Sequence, residues 1–262
     1  MKQIPSYDIF EFSPKKHEYC VGIPLLNEGE KIKKELQTML EQRIHNIADI
    51  IIFDGNSTDG STEHNFLKSM NINTILIKTS PGKQGAQFRM GFDFILKRGY
   101  KGIVTIDGNN KDNTDAIPGF IKKLKEGQDF IQGSRFISGG VHKNTPLSRF
   151  LAVKYIHAPW ISAMGGFKYT DTTSAYRGIS RRFLEDKNLA IFRDIFDGYE
   201  LLFYMSVMAP KLGYKTCEIP VSRIYLPKGK IPTKITMSGN FKIIHELWKI
   251  QTGFYNIKRG KV

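Results

Sequence analysis

YCVGIPLLNEGEKIKKELQTMLEQ, residues 19–42, sets the architecture. Residues 19–27 are a nearly continuous apolar run that ends at Asn27. The remainder carries Ile32, Leu36, Met39 and Leu40 on one helical face. A buried strand feeding an amphipathic helix is the first half of a βαβ unit. ADIIIFDG (48–55) supplies a second buried strand, NTILIKT (73–79) a third and KGIVTID (101–107) a fourth. NSTDGST (56–62) is a turn cluster able to cap a helix, and QGAQFRMGFDFILKRG (84–99) reads as a helix closed by Gly99. Strands and helices alternating at this spacing predict an α/β fold with a mostly parallel central sheet and helices on both faces. In such sheets ligands bind beyond the carboxyl ends of the strands. The loops at 24–30, 54–61, 80–85 and 107–115 are therefore where a site belongs.

Beyond residue 130 the alternation loosens. DFIQGSRF (129–136) and YKTCEIPVSRIY (214–225) keep strand character, with a loop- and helix-rich region between them. NFKIIHELWKIQTGFYN (240–256) places Phe241, Ile244, Leu247, Trp248 and Phe254 or Tyr255 on one helical face flanked by lysines. That pattern suits a closing helix packed on the domain and equally an amphipathic helix lying on anionic lipid. The expected organisation is one domain over 1–225 and a basic C-terminal segment over 226–262.

With 262 residues, 40% of them apolar, the chain can bury a proper core. Its net charge of +14 calls for an acidic partner: nucleic acid, anionic lipid or a phosphorylated ligand. Eight Lys or Arg against one acid in residues 226–262 place half of that excess in the C-terminal segment. No RNP-like or helix-turn-helix signature accompanies it, so nucleic acid is not the expected partner. Cys20 and Cys217 lie in apolar runs and read as buried reduced thiols. MKQIPSYDIFEF lacks the apolar stretch of a signal peptide, and no window reaches the ~18 apolar residues of a spanning helix. The expected location is cytoplasmic, peripheral to the inner face of a membrane.

VTIDGNNKDNTD (104–115) carries the chemistry. An apolar strand delivers one carboxylate, Asp107, to its carboxyl end, followed by Gly108 and Asn109. Mg²⁺ and Mn²⁺ take hard oxygen ligands, often one or two from protein with phosphate and water supplying the rest. Asp107 with the Asn109 carbonyl oxygen can form such a site. Lys111 could instead supply part of the positive charge itself. Asp112 and Asp115 read most simply as helix-start residues.

The order of these loops resembles that of family-two glycosyltransferases of GT-A (Rossmann-like) fold, and within them the dolichyl- or polyprenyl-phosphate mannosyl- and glucosyltransferases. The resemblance covers about residues 19–225. It implies a nucleotide-sugar site in which Pro24, Asn27 and Glu28 form the first loop and Asp54 grips the base. Gly82 and Lys83 would lie near base and ribose, and Asp107 would meet the diphosphate through Mg²⁺ or Mn²⁺. GSRF (133–136), DTTSAYRG (171–178), GYE (198–200) and EIP (218–220) follow in the family's order. Two departures stand out. The family's second acid is Asn109 here, which implies a weakened metal site. Val153 and His157 stand where Ser and Asn are expected.

On the acceptor side the resemblance implies that Arg135 and Arg149 hold a phosphate, with His157, Arg177, Glu200 and Lys234 as further acceptor-site candidates. Arginine's planar fork suits phosphate. Lys228, Lys230 and Lys234 could close over the diphosphate as a loop. A polyprenyl phosphate is already anionic and needs no general base. A sugar hydroxyl needs one, and Asp171 is then the candidate. The expected function is inverting transfer of a hexose from a UDP- or GDP-linked sugar to a polyprenyl phosphate at the cytosolic membrane face. Elongation of a lipid-linked or cell-surface glycan at a hydroxyl is the alternative. A catalytically inactive basic binding protein of the same fold is the second.

Overall fold

The computed structural model describes residues 2–225 and 237–257, and of 237–241 the backbone alone. Strands β1 (Tyr7–Glu11), β2 (Tyr19–Leu25), β3 (Asp49–Asp54), β4 (Thr74–Lys78) and β5 (Gly102–Thr105) alternate with helices α1 (Glu30–Glu41), α2 (His64–Ser69) and α3 (Gln84–Lys97). There follow α4 (Ile117–Lys125), β6 (Phe130–Ser134), β7 (Val141–Lys143) and α5 (Leu147–Ala152). α5 runs through a π-helical turn (Val153–His157) into α6 (Ala158–Gly165). β8 (Arg177–Ser180), α7 (Arg181–Leu184), α8 (Glu200–Lys211), β9 (Thr216–Pro220), β10 (Ser222–Ile224) and α9 (Met237–Gln251) complete the order.

Among the described residues one sheet runs β1-β4-β3-β2-β5-β8-β6-β9. β2 pairs in parallel with β3 and β5, β3 with β4, and β6 with β9. The parallel sheet expected from the apolar runs is thus present. β1, too polar on its face to be read as a strand, joins the edge antiparallel to β4. β8 was also hidden in the sequence. It runs antiparallel between β5 and β6, with Arg177 opposite Thr105 on one side and Gln132 on the other. That direction carries the preceding DTTSAY loop to the carboxyl ends of β5 and β6. The expected strand over 214–225 divides: Pro220, which has no N–H to donate, ends the pairing with β6. β10 then pairs with β7 in a separate two-stranded ribbon.

Each face of the sheet has its own core. α1 lays Ile32, Leu36 and Met39, all fully buried, against one face, where α2 and α4 join it. Each such side chain contributes about 1.5–3 kcal/mol. On the other face α3 is buried from Gly85 to Leu96, enclosed between the sheet and α8. Close approach makes this possible. A Cβ on Gly91 would sit 2.2 Å from the Phe53 ring, and one on Gly22 would sit 2.6 Å from it. α3 closes as expected at Gly99 (φ 73°), where Tyr100 N donates to Ile95 O.

The C-terminal helix is fastened to this second core. Leu247, Ile250 and Tyr255 are buried, while Ile244, Trp248 and Phe254 are exposed. The single apolar face expected from the sequence is therefore divided between core and surface. Cys20 is buried, Cys217 is partly buried, and both are free thiols.

Candidate active site

The carboxyl ends of β2, β3 and β5 meet at the mouth of a cavity of about 450 Å³. The loops after β2 and β3 are laced together. Asn27 N donates to Ser57 Oγ, and the Asn27 side-chain oxygen accepts from Thr58 N at 2.9 Å. Gln87 in α3 donates to both Leu25 O and Phe53 O. Asp54 accepts from Ser57 N and from Ser57 Oγ at 2.6 Å. It is buried, and burial raises its carboxyl above the ordinary range despite those bonds.

β5 ends two residues before Asp107, which therefore projects from a loop. Gln84 Nε2 donates to its Oδ1 at 3.2 Å, while Asn109 Nδ2 and Arg223 Nη2 both lie 3.5 Å from its Oδ2. The Asn109 side-chain oxygen is buried and has no hydrogen-bond partner in the structure. The amide faces Asp107 with its nitrogen; turned over, its unpartnered oxygen would join the carboxylate as a hard-oxygen pair that suits a divalent cation. Among the described residues no group of three or more His, Cys, Asp or Glu forms a metal cluster. A cation held here would take its remaining ligands from phosphate and water. Glu35 supports the loop from below, accepting from Asn110 N at 2.6 Å. Burial pushes its carboxyl well above the ordinary range, aided by Asp112 and Asp107 and opposed by the Asn110 N–H bond.

Deeper in, Arg135 faces Asp171 in a two-pronged pair, Nε to Oδ2 at 2.6 Å and Nη2 to Oδ1 at 3.0 Å. Thr173 Oγ1 accepts a further bond from Nη2. Both partners are almost wholly buried. Burial alone would raise Asp171, but the Arg135 charge more than offsets it and holds the carboxyl below its ordinary range. Arg177, fully buried, donates to the carbonyls of Ser174, Thr172 and Leu202, and burial lowers it to about 10. His157 is placed by the π-helical turn, a form found often at functional sites. Its Nδ1 bonds Thr172 Oγ1 at 2.7 Å, and burial pushes it down to about 3, so the ring is neutral.

Three further residues escaped the sequence reading. Arg223 in β10 pairs with Asp112 and reaches Asp107, so Asp112 is an ion-pair partner as well as a residue before a helix. Tyr225 gathers cations around its ring, with Lys111 at 5.5 Å, Arg223 at 5.6 Å and Arg149 at 5.9 Å. Its hydroxyl accepts from Arg149 Nη1 at 3.0 Å. Burial favours the neutral phenol, yet Arg223, Arg149 and Arg135 together hold its pKa below the ordinary value. Burial, then Arg223, lowers Lys111. Glu35 is the third. Of the three charged residues between Ile32 and Leu36, Glu35 alone falls at the helical spacing of the apolar face of α1, but nothing local marked Arg223 or Tyr225.

The cavity brings together Pro24, Glu28, Gly82, Lys83, Asp107, Asn109, Lys111, Arg135, Arg149, His157 and Arg177. Asn27, Asp54, Asp171 and Glu200 lie outside its lining. Glu200 folds back to accept from Gly198 N at the start of α8. Lys234, with Lys228 and Lys230, lies outside the described residues. The lining also has an apolar set: Val153, Ile156, Phe203, Ile243, Ile244 and Leu247.

The geometry yields a prediction. Tyr225→Phe removes the Arg149 bond but keeps the ring under its cations. We expect it to weaken binding of a phosphate-bearing ligand in this cavity about 5- to 20-fold, while Tyr225→Leu loses both contributions. Binding titrations on the two variants check this.

The family model for "Glycosyl transferase family 2" matches residues 20–199. The polyprenol monophosphomannose synthase of Mycolicibacterium smegmatis is 26% identical over 208 residues, 77% of this chain and 76% of that protein. The undecaprenyl-phosphate mannosyltransferase of Micrococcus luteus is 25% identical over 204 residues, 76% of this chain and 81% of that protein. The glucosyl-3-phosphoglycerate synthase of Mycobacterium tuberculosis, solved with Mn²⁺, UDP and glucosyl-3-phosphoglycerate, superposes with a TM-score of 0.62 at 14% identity. That superposition covers 92% of this chain and 81% of that one, and it confirms the GT-A fold expected from the strand-end loops. With strand-end loops, cavity and matched span in agreement, the chain belongs to glycosyl transferase family 2 and is a glycosyltransferase.

Proposed function

We propose that the enzyme is an inverting hexosyltransferase that uses a UDP- or GDP-linked sugar and delivers the sugar to a polyprenyl phosphate. One observation carries this reading: a single cavity is lined by the strand-end loops, by Arg135 and Arg149, and by the apolar side chains of Val153, Ile156, Phe203, Ile243, Ile244 and Leu247. A diphosphate, a second phosphate and a hydrocarbon chain need those three environments together. The similarity to two polyprenyl-phosphate mannosyltransferases supports the acceptor.

In this reading an acceptor phosphate oxygen attacks the anomeric carbon as the bond to the nucleoside diphosphate breaks, inverting the centre in one displacement. Arg135 and Arg149 hold the acceptor phosphate, and the acceptor's own charge makes a base unnecessary. Lys111 and Arg223 face the charge that grows on the leaving diphosphate. Asp107 and Asn109 would hold Mg²⁺ or Mn²⁺, which supplies Lewis-acid neutralisation of that diphosphate. Asp171 keeps Arg135 extended and charged.

The hydroxyl-acceptor alternative asks Asp171 to accept a proton. Both its oxygens already accept from Arg135 and its carboxyl is held below the ordinary range, which favours the phosphate acceptor. The cation-lined cavity and the family match speak for the enzyme over an inactive binding protein. No helix among the described residues is long and apolar enough to cross a membrane. We place the enzyme peripherally, at the cytosolic face where nucleotide sugars are available.

Transfer assays with a panel of nucleotide sugars and a short, water-soluble prenyl phosphate test the reading. A prenyl phosphosugar of inverted configuration is expected. A product on sugar hydroxyls alone would overturn the acceptor assignment.

A further inference from the structure

Helix α1 carries a buried acid where its own pattern asks for an apolar side chain. Ile32, Leu36 and Met39 form its apolar face, and Glu35 is fully buried on that face beside them. A carboxyl in the interior costs stability unless its hydrogen-bonding capacity is met. Here it is half met. Oε2 accepts from Asn110 N at 2.6 Å, while Oε1 has no partner in the structure. No step of the proposed transfer uses this group.

Its one bond falls at the turning point of the loop after β5. Asn110 is left-handed (φ 55°), a conformation that costs energy in any residue with a side chain and is tolerated best by Asn and Asp. That turn lies between Asn109 and Lys111, which both line the cavity together with Asp107. α1 meets the loop at two further points. A Cβ on Gly108 would lie 3.1 Å from Ile32 Cδ1, and Thr114 Oγ1 donates to Gln42 Oε1 at the end of the helix. β10 holds the residues that follow the turn, with Ile224 N donating to Lys111 O and Arg223 pairing with Asp112. Of these contacts, the Glu35 bond is the one made to the left-handed residue itself.

We infer that Glu35 is a positioning residue for the nucleotide-sugar site: its carboxyl oxygen holds the Asn110 N–H, and through that turn it sets where Asn109 and Lys111 meet the diphosphate. This role rests on the proposed use of a nucleotide-diphosphate donor. It also accounts for an acid kept in the core at a cost in stability. Asn110 is exposed, so without the carboxyl its N–H can turn to water. The loop then relaxes while the core beneath it stays closed.

Glu35→Leu and Glu35→Gln in the full chain test this. Leucine completes the apolar face, so Glu35→Leu should melt at or above the wild-type temperature. Its affinity for UDP or GDP with Mn²⁺ should nonetheless fall at least ~10-fold, the loss expected for a strong hydrogen bond. Glutamine keeps an acceptor of the same reach, and Glu35→Gln should bind within ~3-fold of the wild type. Hydrogen–deuterium exchange without nucleotide should quicken over residues 108–112 in Glu35→Leu and not in Glu35→Gln. Wild-type affinity in Glu35→Leu overturns the role, and so does a Glu35→Gln variant as weak as Glu35→Leu. A lower melting temperature in Glu35→Leu, with exchange quickened throughout α1, overturns it in favour of a structural part in the helix alone. A wild type that binds neither nucleotide sinks the donor reading, and exchange still quickened only over 108–112 then leaves the tie between α1 and the loop standing.

Discussion

Asp171→Ala is expected to abolish transfer and to destabilise the fold by about 3–5 kcal/mol, because it strands a charged guanidinium in the interior. Arg135 and Asp171 are 2% and 0% exposed at their side chains, and their bond geometry is two-pronged. The pair is expected to behave differently when removed whole. Arg135→Met/Asp171→Leu replaces both charges with apolar groups of similar size and should recover most of the lost stability. It should not recover activity, since Arg135 lines the cavity where the acceptor phosphate is proposed to sit. Urea unfolding and transfer assays on the two variants measure both effects. Equal stability of the single and double variants would show that the pair is not coupled.

The same pair fixes a pH dependence. Asp171 has its folded pKa held below the ordinary value, so its contribution is fully present above the ordinary carboxylate range. It is lost as pH falls through that range and below it.

Asp107→Ala is the second variant of large effect, expected to lower kcat/KM by about 10²–10³ through lost stabilisation of the leaving diphosphate. Stability should change little, since the Asp107 contacts to Gln84, Asn109 and Arg223 are all 3.2 Å or longer. Calorimetric titration of UDP and GDP, each with Mn²⁺ and with EDTA, separates the charge partners. If Asp107 and Asn109 hold a cation, one nucleotide binds with metal, and Asp107→Ala removes that dependence. Asn109→Asp, which adds the missing acid, should then tighten the metal requirement. Equal binding in EDTA would move the role to Lys111 and Arg223, which both lie near the Tyr225 ring.

The family model's match over residues 20–199 gives these predictions a common frame, since each variant alters one part of a shared transferase scaffold. Within that scaffold the two halves of the cavity differ in how they were found. The strand-end side was read largely from contiguous motifs. The side bearing Arg135 and Arg149 was read from isolated arginines, and its geometry came from packing.

What the sequence determined by itself was local. Runs of apolar residues ending in Asn27, Asp54 and Asp107 defined β2, β3 and β5 and marked the edge of the sheet where a site must lie. Strand and helix periods act over a few residues, so they leave a pattern that can be read along the chain. What only the tertiary structure decided was which distant charges meet. Arg223 reaches Asp107 across 116 positions, and Arg149 meets Tyr225 across 76. Asp171, one of several acids near the motifs, became the partner of Arg135 because β8 enters the sheet antiparallel. Such pairings are fixed by strand order and by the cost of leaving a charge unpaired in the interior, and neither has a period in the sequence.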